Sequence, residues 1–89
     1  MLQINADGTN NNNILGGGRL EILESNNVTN SAIITQSTVT VRGALTNENF
    51  ITAANGFTVA ETGTMSTNAS NISGNIENTG FINFTGGTN

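Results

Sequence analysis

The acidic side chains of this sequence are the natural starting point for any chemistry. It has six Asp and Glu residues and lacks His, Cys, Lys and Tyr, which removes most general bases, nucleophiles and Schiff-base formers. Two carboxylates alone can hydrolyse a glycosidic bond when they face each other across a substrate. The five glutamates are instead scattered along the chain, at Glu21, Glu24, Glu48, Glu61 and Glu77. We therefore expect no enzyme, no catalytic residue and no cofactor.

Two loops resemble ion-binding segments only superficially. Residues 5–10 carry oxygen donors around Asp7 and Gly8. Calcium needs six to eight oxygens, usually from several carboxylates, so one Asp predicts a turn rather than a metal site. The glycines at 16–18 lack the Gly-Lys-Ser/Thr sequence of a phosphate-binding loop. Neither loop predicts a bound group.

The charge of the chain excludes whole classes of partner. Its only cations are Arg19 and Arg42, and the formal net charge is −4. Binding to nucleic acid or to an anionic membrane surface depends on Lys and Arg. No apolar run approaches the eighteen or so residues of a membrane span. We expect neither a nucleic-acid partner nor insertion into a membrane.

Short alternating segments dominate the remaining sequence. The segment Thr38–Val41 reads TVTV, and period-two alternation of this kind predicts a strand. Apolar spacing of three and four residues never persists beyond one turn, so no sizeable helix is expected. With 35% hydrophobic residues, no Pro and 9% charged residues, the chain suits a narrow core that needs one inward residue in two.

Three segments are near-copies of one another, and their repetition predicts stacked, equivalent strands. They read VTNSAIIT from Val28, LTNENFIT from Leu45 and IENTGFIN from Ile76. The fold expected is an all-β, single-domain β-solenoid, a three-sided parallel β-helix with coils of roughly 17–20 residues. Residues at equivalent positions of the three copies should then stack on one another. We expect Val28, Leu45 and Ile76 in one core column, Ile34, Ile51 and Ile82 in a second, and Asn30, Asn47 and Asn78 in an asparagine ladder.

The spacing of the copies leaves one region undefined. The first and second copies are offset by 17 residues, whereas the second and third are offset by 31. A divergent, irregular coil is therefore expected around residues 57–68. Residues 1–18, with their Asn and Gly clusters, are expected to form an irregular, partly flexible lead-in or cap, followed by solenoid repeats over residues 19–89.

The runs VRGALTNENFITAANG and ISGNIENTGFINFTGG resemble the repeats of filamentous-haemagglutinin-type exoproteins and autotransporter passengers. The resemblance covers residues 19–87 and is one of repeat style. It implies a right-handed β-solenoid stalk. It carries over no functional residue, because the repeats of that family are scaffold.

Three functions follow as expectations. The first is a non-enzymatic structural or adhesive segment of an extracellular or cell-surface protein, with a host-surface protein or glycan as partner. The second is a subunit of a self-assembling filament or functional amyloid, in which copies stack end to end, as low charge and absent Pro favour. The third is a trimeric phage tail-fibre or spike segment of a virion, in which three chains share one core.

Overall fold

The computed structural model describes residues 2–86, and almost all of its regular structure is β. Inward-facing Val, Ile and Leu alternate with outward-facing Thr, Ser and Glu, and this pattern, rich in β-branched residues, favours short extended segments over helix. The one helical element in the described part is a 3-10 turn, Ala69–Asn71. The strands are β1 (Leu2–Ile4), β2 (Gly8–Asn10), β3 (Ile14–Leu15), β4 (Arg19–Ile22), β5 (Asn27–Asn30), β6 (Ile34–Gln36), β7 (Thr38–Val41), β8 (Ala44–Asn47), β9 (Ile51–Ala53), β10 (Phe57–Val59), β11 (Thr64–Thr67), β12 (Ile72–Ser73), β13 (Ile76–Asn78) and β14 (Phe81–Phe84).

These strands form three parallel sheets, one on each side of a solenoid. Sheet 1 has the order β1-β4-β7-β10-β13, sheet 2 the order β2-β5-β8-β11-β14, and sheet 3 the order β3-β6-β9-β12. Each strand pairs with the strand three positions further along the chain, so three consecutive strands make one coil. Coil 1 is β1–β3, coil 2 is β4–β6, coil 3 is β7–β9, coil 4 is β10–β12, and coil 5 contains β13 and β14. The predicted three-sided β-solenoid is confirmed, and it makes about four turns.

The core is a narrow tube filled by one residue in two from each strand. In sheet 1 Leu20, Val39 and Phe57 stack in register on successive coils, and each is at most 2% exposed. Side chains at the alternate positions point to the outside. Stacking at about 4.8 Å per coil lets the backbone hydrogen bonds and the aliphatic columns form together.

The predicted core columns need one correction each. Val28 and Leu45 stack directly in sheet 2, but Ile76 lies in sheet 1, where it pairs with Phe57. Ile34 and Ile51 stack directly in sheet 3, but Ile82 lies in sheet 2. The complete columns are Gly8, Val28, Leu45, Met65 and Ile82 in sheet 2, and Ile14, Ile34, Ile51 and Ile72 in sheet 3.

The expected irregular segments are both part of the regular stack. Within the first eighteen residues, β1–β3 pair in register with coil 2, so the boundary expected at residue 18 separates two coils rather than a cap from a solenoid. Residues 57–68 contain β10 and β11, which pair in register with coil 3. The sequence looks irregular there because Met65 and Thr67 replace the aliphatic residue and the Asn of the earlier coils. Of the expected solenoid range, residues 87–89 lie outside the described part.

The turns between sheets 1 and 2 alternate in length from coil to coil. In coils 2 and 4 the long turns span 23–26 and 60–63, and each is closed by a backbone hydrogen bond: Asn26 N donates to Leu23 O, and Gly63 N donates to Ala60 O. Coils 1, 3 and 5 take a shorter path. Paired residues in sheet 2 are consequently 20, 17, 20 and 17 residues apart, so the period of this sheet is two coils, or 37 residues.

Candidate functional site: the inner polar ladder and the N-terminal edge

A line of polar side chains runs along the inner face of sheet 2, parallel to the solenoid axis. Asn10 Nδ2 donates to Asn30 Oδ1 at 2.9 Å, and Asn30 Nδ2 donates to Asn47 Oδ1 at 2.9 Å. Asn47 Nδ2 then donates to Thr67 Oγ1 at 3.1 Å. We call these four residues the polar ladder. Each of its hydrogen bonds joins one coil to the next.

The two buried asparagines of the ladder also hold the bends that follow β5 and β8. Asn30 Oδ1 accepts from Ala32 N at 3.3 Å while Asn30 Nδ2 donates to Ala32 O at 2.7 Å. Asn47 Oδ1 likewise accepts from Asn49 N at 3.4 Å. Asn30 is 0% exposed and Asn47 is 4% exposed, so these carboxamides would be costly to bury without partners. The hydrogen bonds of the ladder thus stabilise a narrow core that buries little apolar surface.

The third asparagine of the predicted ladder, Asn78, lies elsewhere. It is exposed, at the end of β13 in sheet 1, where it stacks on Val59. Its Oδ1 accepts from Gly80 N at 3.0 Å, which is the local bend contact that Asn30 makes with Ala32. Asn78 therefore performs the same turn function at a different corner of the solenoid, and it does not join the ladder.

Sequence reasoning missed two members of the ladder, Asn10 and Thr67. A signal was present for the first, because the dipeptide Thr-Asn ends β2, β5 and β8 alike, at residues 9–10, 29–30 and 46–47. The same dipeptide at 67–68 is shifted by one position, so that Thr67 takes the inward place. Its Oγ1 accepts from Asn47 and donates to Asn68 O at 3.1 Å.

The carboxylates sit on the outside of the fold. Glu21 and Glu77 point outward from sheet 1, with the coils of Thr40 and Thr58 between them. Glu24 and Glu61 occupy the two long turns, and Glu48 accepts from Ser31 Oγ at 3.2 Å. Within residues 2–86 no group of three or more acidic residues lies close enough to hold a metal ion.

One ion pair shapes the electrostatics of sheet 1. Arg42 Nε donates to Glu21 Oε2, and Gln3 Nε2 donates to Glu21 Oε1 at 3.1 Å. The hydrogen bond from Arg42, followed by that from Gln3, holds the pKa of Glu21 below its ordinary value. The carboxylate of Glu21 is therefore a surface tie between coils 1, 2 and 3.

Hydroxyl groups line the outer faces of sheets 2 and 3. On sheet 2 they form a column that crosses four coils, and on sheet 3 a column that crosses three, with neighbours about 4.8 Å apart. Such columns present a regular array of donors and acceptors to solvent or to a flat partner. They are Thr9, Thr29, Thr46 and Ser66 on sheet 2, and Thr35, Thr52 and Ser73 on sheet 3.

The outer edges of β1, β2 and β3 form the N-terminal edge of the solenoid, where the core opens. An open cavity of about 250 Å³ lies there, and Ile4, Gly8, Asn10 and Val28 are among its lining residues. It exists because Gly8 stands at the inward position of coil 1, where the other coils carry Val28, Leu45, Met65 or Ile82. The polar ladder reaches this cavity at Asn10.

Comparison of the chain with protein-family models, with curated proteins and with solved structures finds no match. Between residues 2 and 86 no helix has the length and apolar character needed to span a membrane.

Proposed function

We propose that this chain is a non-enzymatic structural or adhesive β-solenoid segment of an extracellular or cell-surface protein. The observation that carries the proposal is the polar ladder, which crosses coils 1 to 4 and is joined by hydrogen bonds of 2.9–3.1 Å. Hydrogen bonds that join successive coils inside the core suit a rigid structural segment. The repeat style shared with filamentous-haemagglutinin-type exoproteins supports an extracellular or cell-surface location.

The closure of the core favours this role over a trimeric virion fibre. Three sheets of the same chain enclose the buried residues, and Val39, Val41, Ile51 and Met65 are each 0% exposed. A fibre in which three chains share one core would instead leave such residues open in the single chain.

The hydroxyl column on sheet 2 is the surface that we assign to adhesion. Its side chains are small, similar and regularly spaced, so they suit a repetitive polar partner such as a glycan on a host surface. Direct hydrogen bonds from Thr29 and Thr46 would contribute about 1 kcal/mol each to such a contact. Many weak contacts along one column add up when the partner also repeats.

The proposal is tested by labelling this protein with a fluorophore and measuring its binding to host cells and to immobilised glycans. The double variant Thr29→Ala/Thr46→Ala should lose most of the binding. The matched variant Thr40→Ala/Thr58→Ala, which removes two outward hydroxyls from sheet 1, should keep it. Equal binding by both variants would mean that sheet 2 is not the adhesion surface. If the unmodified protein hydrolysed glycans and Glu21→Gln abolished that activity, the non-enzymatic role would be wrong.

A further inference from the structure

The polar ladder has a direction. Each asparagine amide donates to the coil on its C-terminal side, from Asn10 to Asn30, from Asn30 to Asn47, and from Asn47 to Thr67. At the C-terminal end the ladder closes on itself, because the Thr67 hydroxyl donates to Asn68 O. At the N-terminal end, Asn10 Oδ1 has no hydrogen-bond donor among residues 2–86. That edge therefore presents an acceptor.

The acceptor stands beside a missing side chain. Gly8 occupies the inward position two residues before Asn10, and the cavity above Val28 measures about 250 Å³. Within the fold, an aliphatic side chain or Met fills this position in every later coil, and an amide or hydroxyl follows two residues on in coils 2, 3 and 4. These internal examples are Val28-Thr29-Asn30, Leu45-Thr46-Asn47 and Met65-Ser66-Thr67.

We propose that the N-terminal edge is a docking surface for a parallel solenoid coil that carries an apolar residue followed, two positions later, by Asn, Ser or Thr. The apolar side chain covers the gap at Gly8, and the amide or hydroxyl donates to Asn10 Oδ1. The docked coil thereby repeats the contact that coil 1 makes with coil 2. This surface is separate from the hydroxyl column of sheet 2.

Coil 5, the last coil of the described residues, carries no hydrogen-bond donor at the ladder position. In coil 5 the sequence is Ile82-Asn83-Phe84, and Phe84 pairs with Thr67 at the ladder position. If a second copy stacked in register, the Phe84 ring would cover Asn10 Oδ1 and exclude water without supplying a donor. A buried acceptor left unpaired weakens association about 10- to 100-fold. Phe84, which is 48% exposed, thus ends the ladder and limits stacking of copies.

The variant Phe84→Asn tests the proposal, because it gives coil 5 the apolar-x-Asn pattern of the inner coils. Sedimentation velocity over a concentration series measures association. We expect the unmodified protein to remain a 9.2 kDa monomer, and Phe84→Asn to associate head to tail at least about tenfold more tightly. In the double variant Asn10→Ala/Phe84→Asn the acceptor is gone, and association should return to that of the unmodified protein.

A matched variant separates the ladder from general surface effects. Phe81 is 62% exposed on the same strand, but it points outward, so Phe81→Asn should not promote association. Circular dichroism reports whether each variant folds, and Phe84→Thr, which copies the Thr67 hydroxyl, replaces Phe84→Asn if the latter unfolds. Head-to-tail association of the unmodified protein equal to that of Phe84→Asn overturns the proposal. So does the absence of association in a folded Phe84→Asn or Phe84→Thr variant.

Discussion

The Asn30 carboxamide donates to Asn47 Oδ1 across 2.9 Å, between two residues that lie seventeen positions apart and are buried in adjacent coils. This contact links the hydrogen bonding of one coil to that of the next. Because both side chains also hold the bend that follows their own strand, a change at either residue affects the strand and the turn together.

Removal of a ladder amide should therefore be costly. Asn47→Ala leaves Asn30 Nδ2 and Thr67 Oγ1 without their partners across the coils, and we expect it to lower the free energy of unfolding by about 2–3 kcal/mol. Asn78→Ala is the matched control, because it removes an exposed asparagine with one bend contact, and it should cost about 1 kcal/mol or less. Urea denaturation followed by circular dichroism measures both. Equal losses would mean that the ladder adds nothing beyond its turns.

The two faces of β9 should respond very differently to a charge. Ile51 is 0% exposed between Ile34 and Ile72, so Ile51→Asp places a carboxylate in the core without a partner. We expect it to lower the free energy of unfolding by about 4 kcal/mol or more, or to prevent folding. Thr52→Asp, one residue later on the outer face, should cost about 1 kcal/mol or less. A folded Ile51→Asp protein with an unchanged melting temperature would contradict the burial of this column.

Glycine at the turns between sheets 1 and 2 permits close stacking of the backbone. A Cβ atom at Gly63 would overlap the carbonyl oxygen of Val41 in the coil above. Gly63→Ala should therefore force the coils apart locally and destabilise the protein by about 2–4 kcal/mol. At Gly17 a Cβ atom has no neighbour within 4 Å, so Gly17→Ala should change stability by about 0.5 kcal/mol or less. Thermal melts of the two alanine variants decide the matter, and equal melting temperatures would refute the close approach.

The ion pair between Glu21 and Arg42 predicts a pH dependence whose sign follows from the lowered pKa of Glu21. A carboxyl whose pKa is lower in the folded protein stabilises the fold fully above its ordinary value of 4.5, and this contribution disappears as the pH falls through the lowered pKa. Because the Arg42 side chain is 52% exposed, we expect the contribution to be below about 1 kcal/mol.

Carboxyl NMR titration checks this directly. In Arg42→Ala the pKa of Glu21 should rise toward 4.5, whereas Arg19→Ala should leave it unchanged. The difference in unfolding free energy between the unmodified protein and Arg42→Ala should be largest above pH 4.5 and should vanish in more acidic solution. If the pKa of Glu21 did not change in Arg42→Ala, the ion pair would not be the cause of the lowered pKa.

The solenoid and the stacking of Asn30 on Asn47 could be predicted from sequence, because a repeat at 17 residues with alternating strands leaves few other arrangements. The position of Asn78 could not. The segments that begin at Val28 and Leu45 cross from sheet 2 to sheet 3, whereas the similar segment that begins at Ile76 crosses from sheet 1 to sheet 2. A bend of the same chemistry serves two corners, so local similarity does not reveal which side of the triangle a strand occupies.

The remaining ladder members were hidden for a related reason. Thr67 replaces an amide by a hydroxyl that both accepts from Asn47 and donates onward, so the geometry is kept while the residue type changes. The long turns conceal the true period as well, since they shift the pairing distance between 17 and 20 residues. A search for a single coil length therefore misaligns every second coil.

The alternation of long and short turns also determines how such a solenoid can change its number of coils. Deleting or duplicating one coil would set two long or two short corners on each other, whereas a change of two coils restores the alternation. Insertion and loss of material in this protein should therefore occur in pairs of coils, and an engineer who wishes to lengthen it should copy two coils at a time.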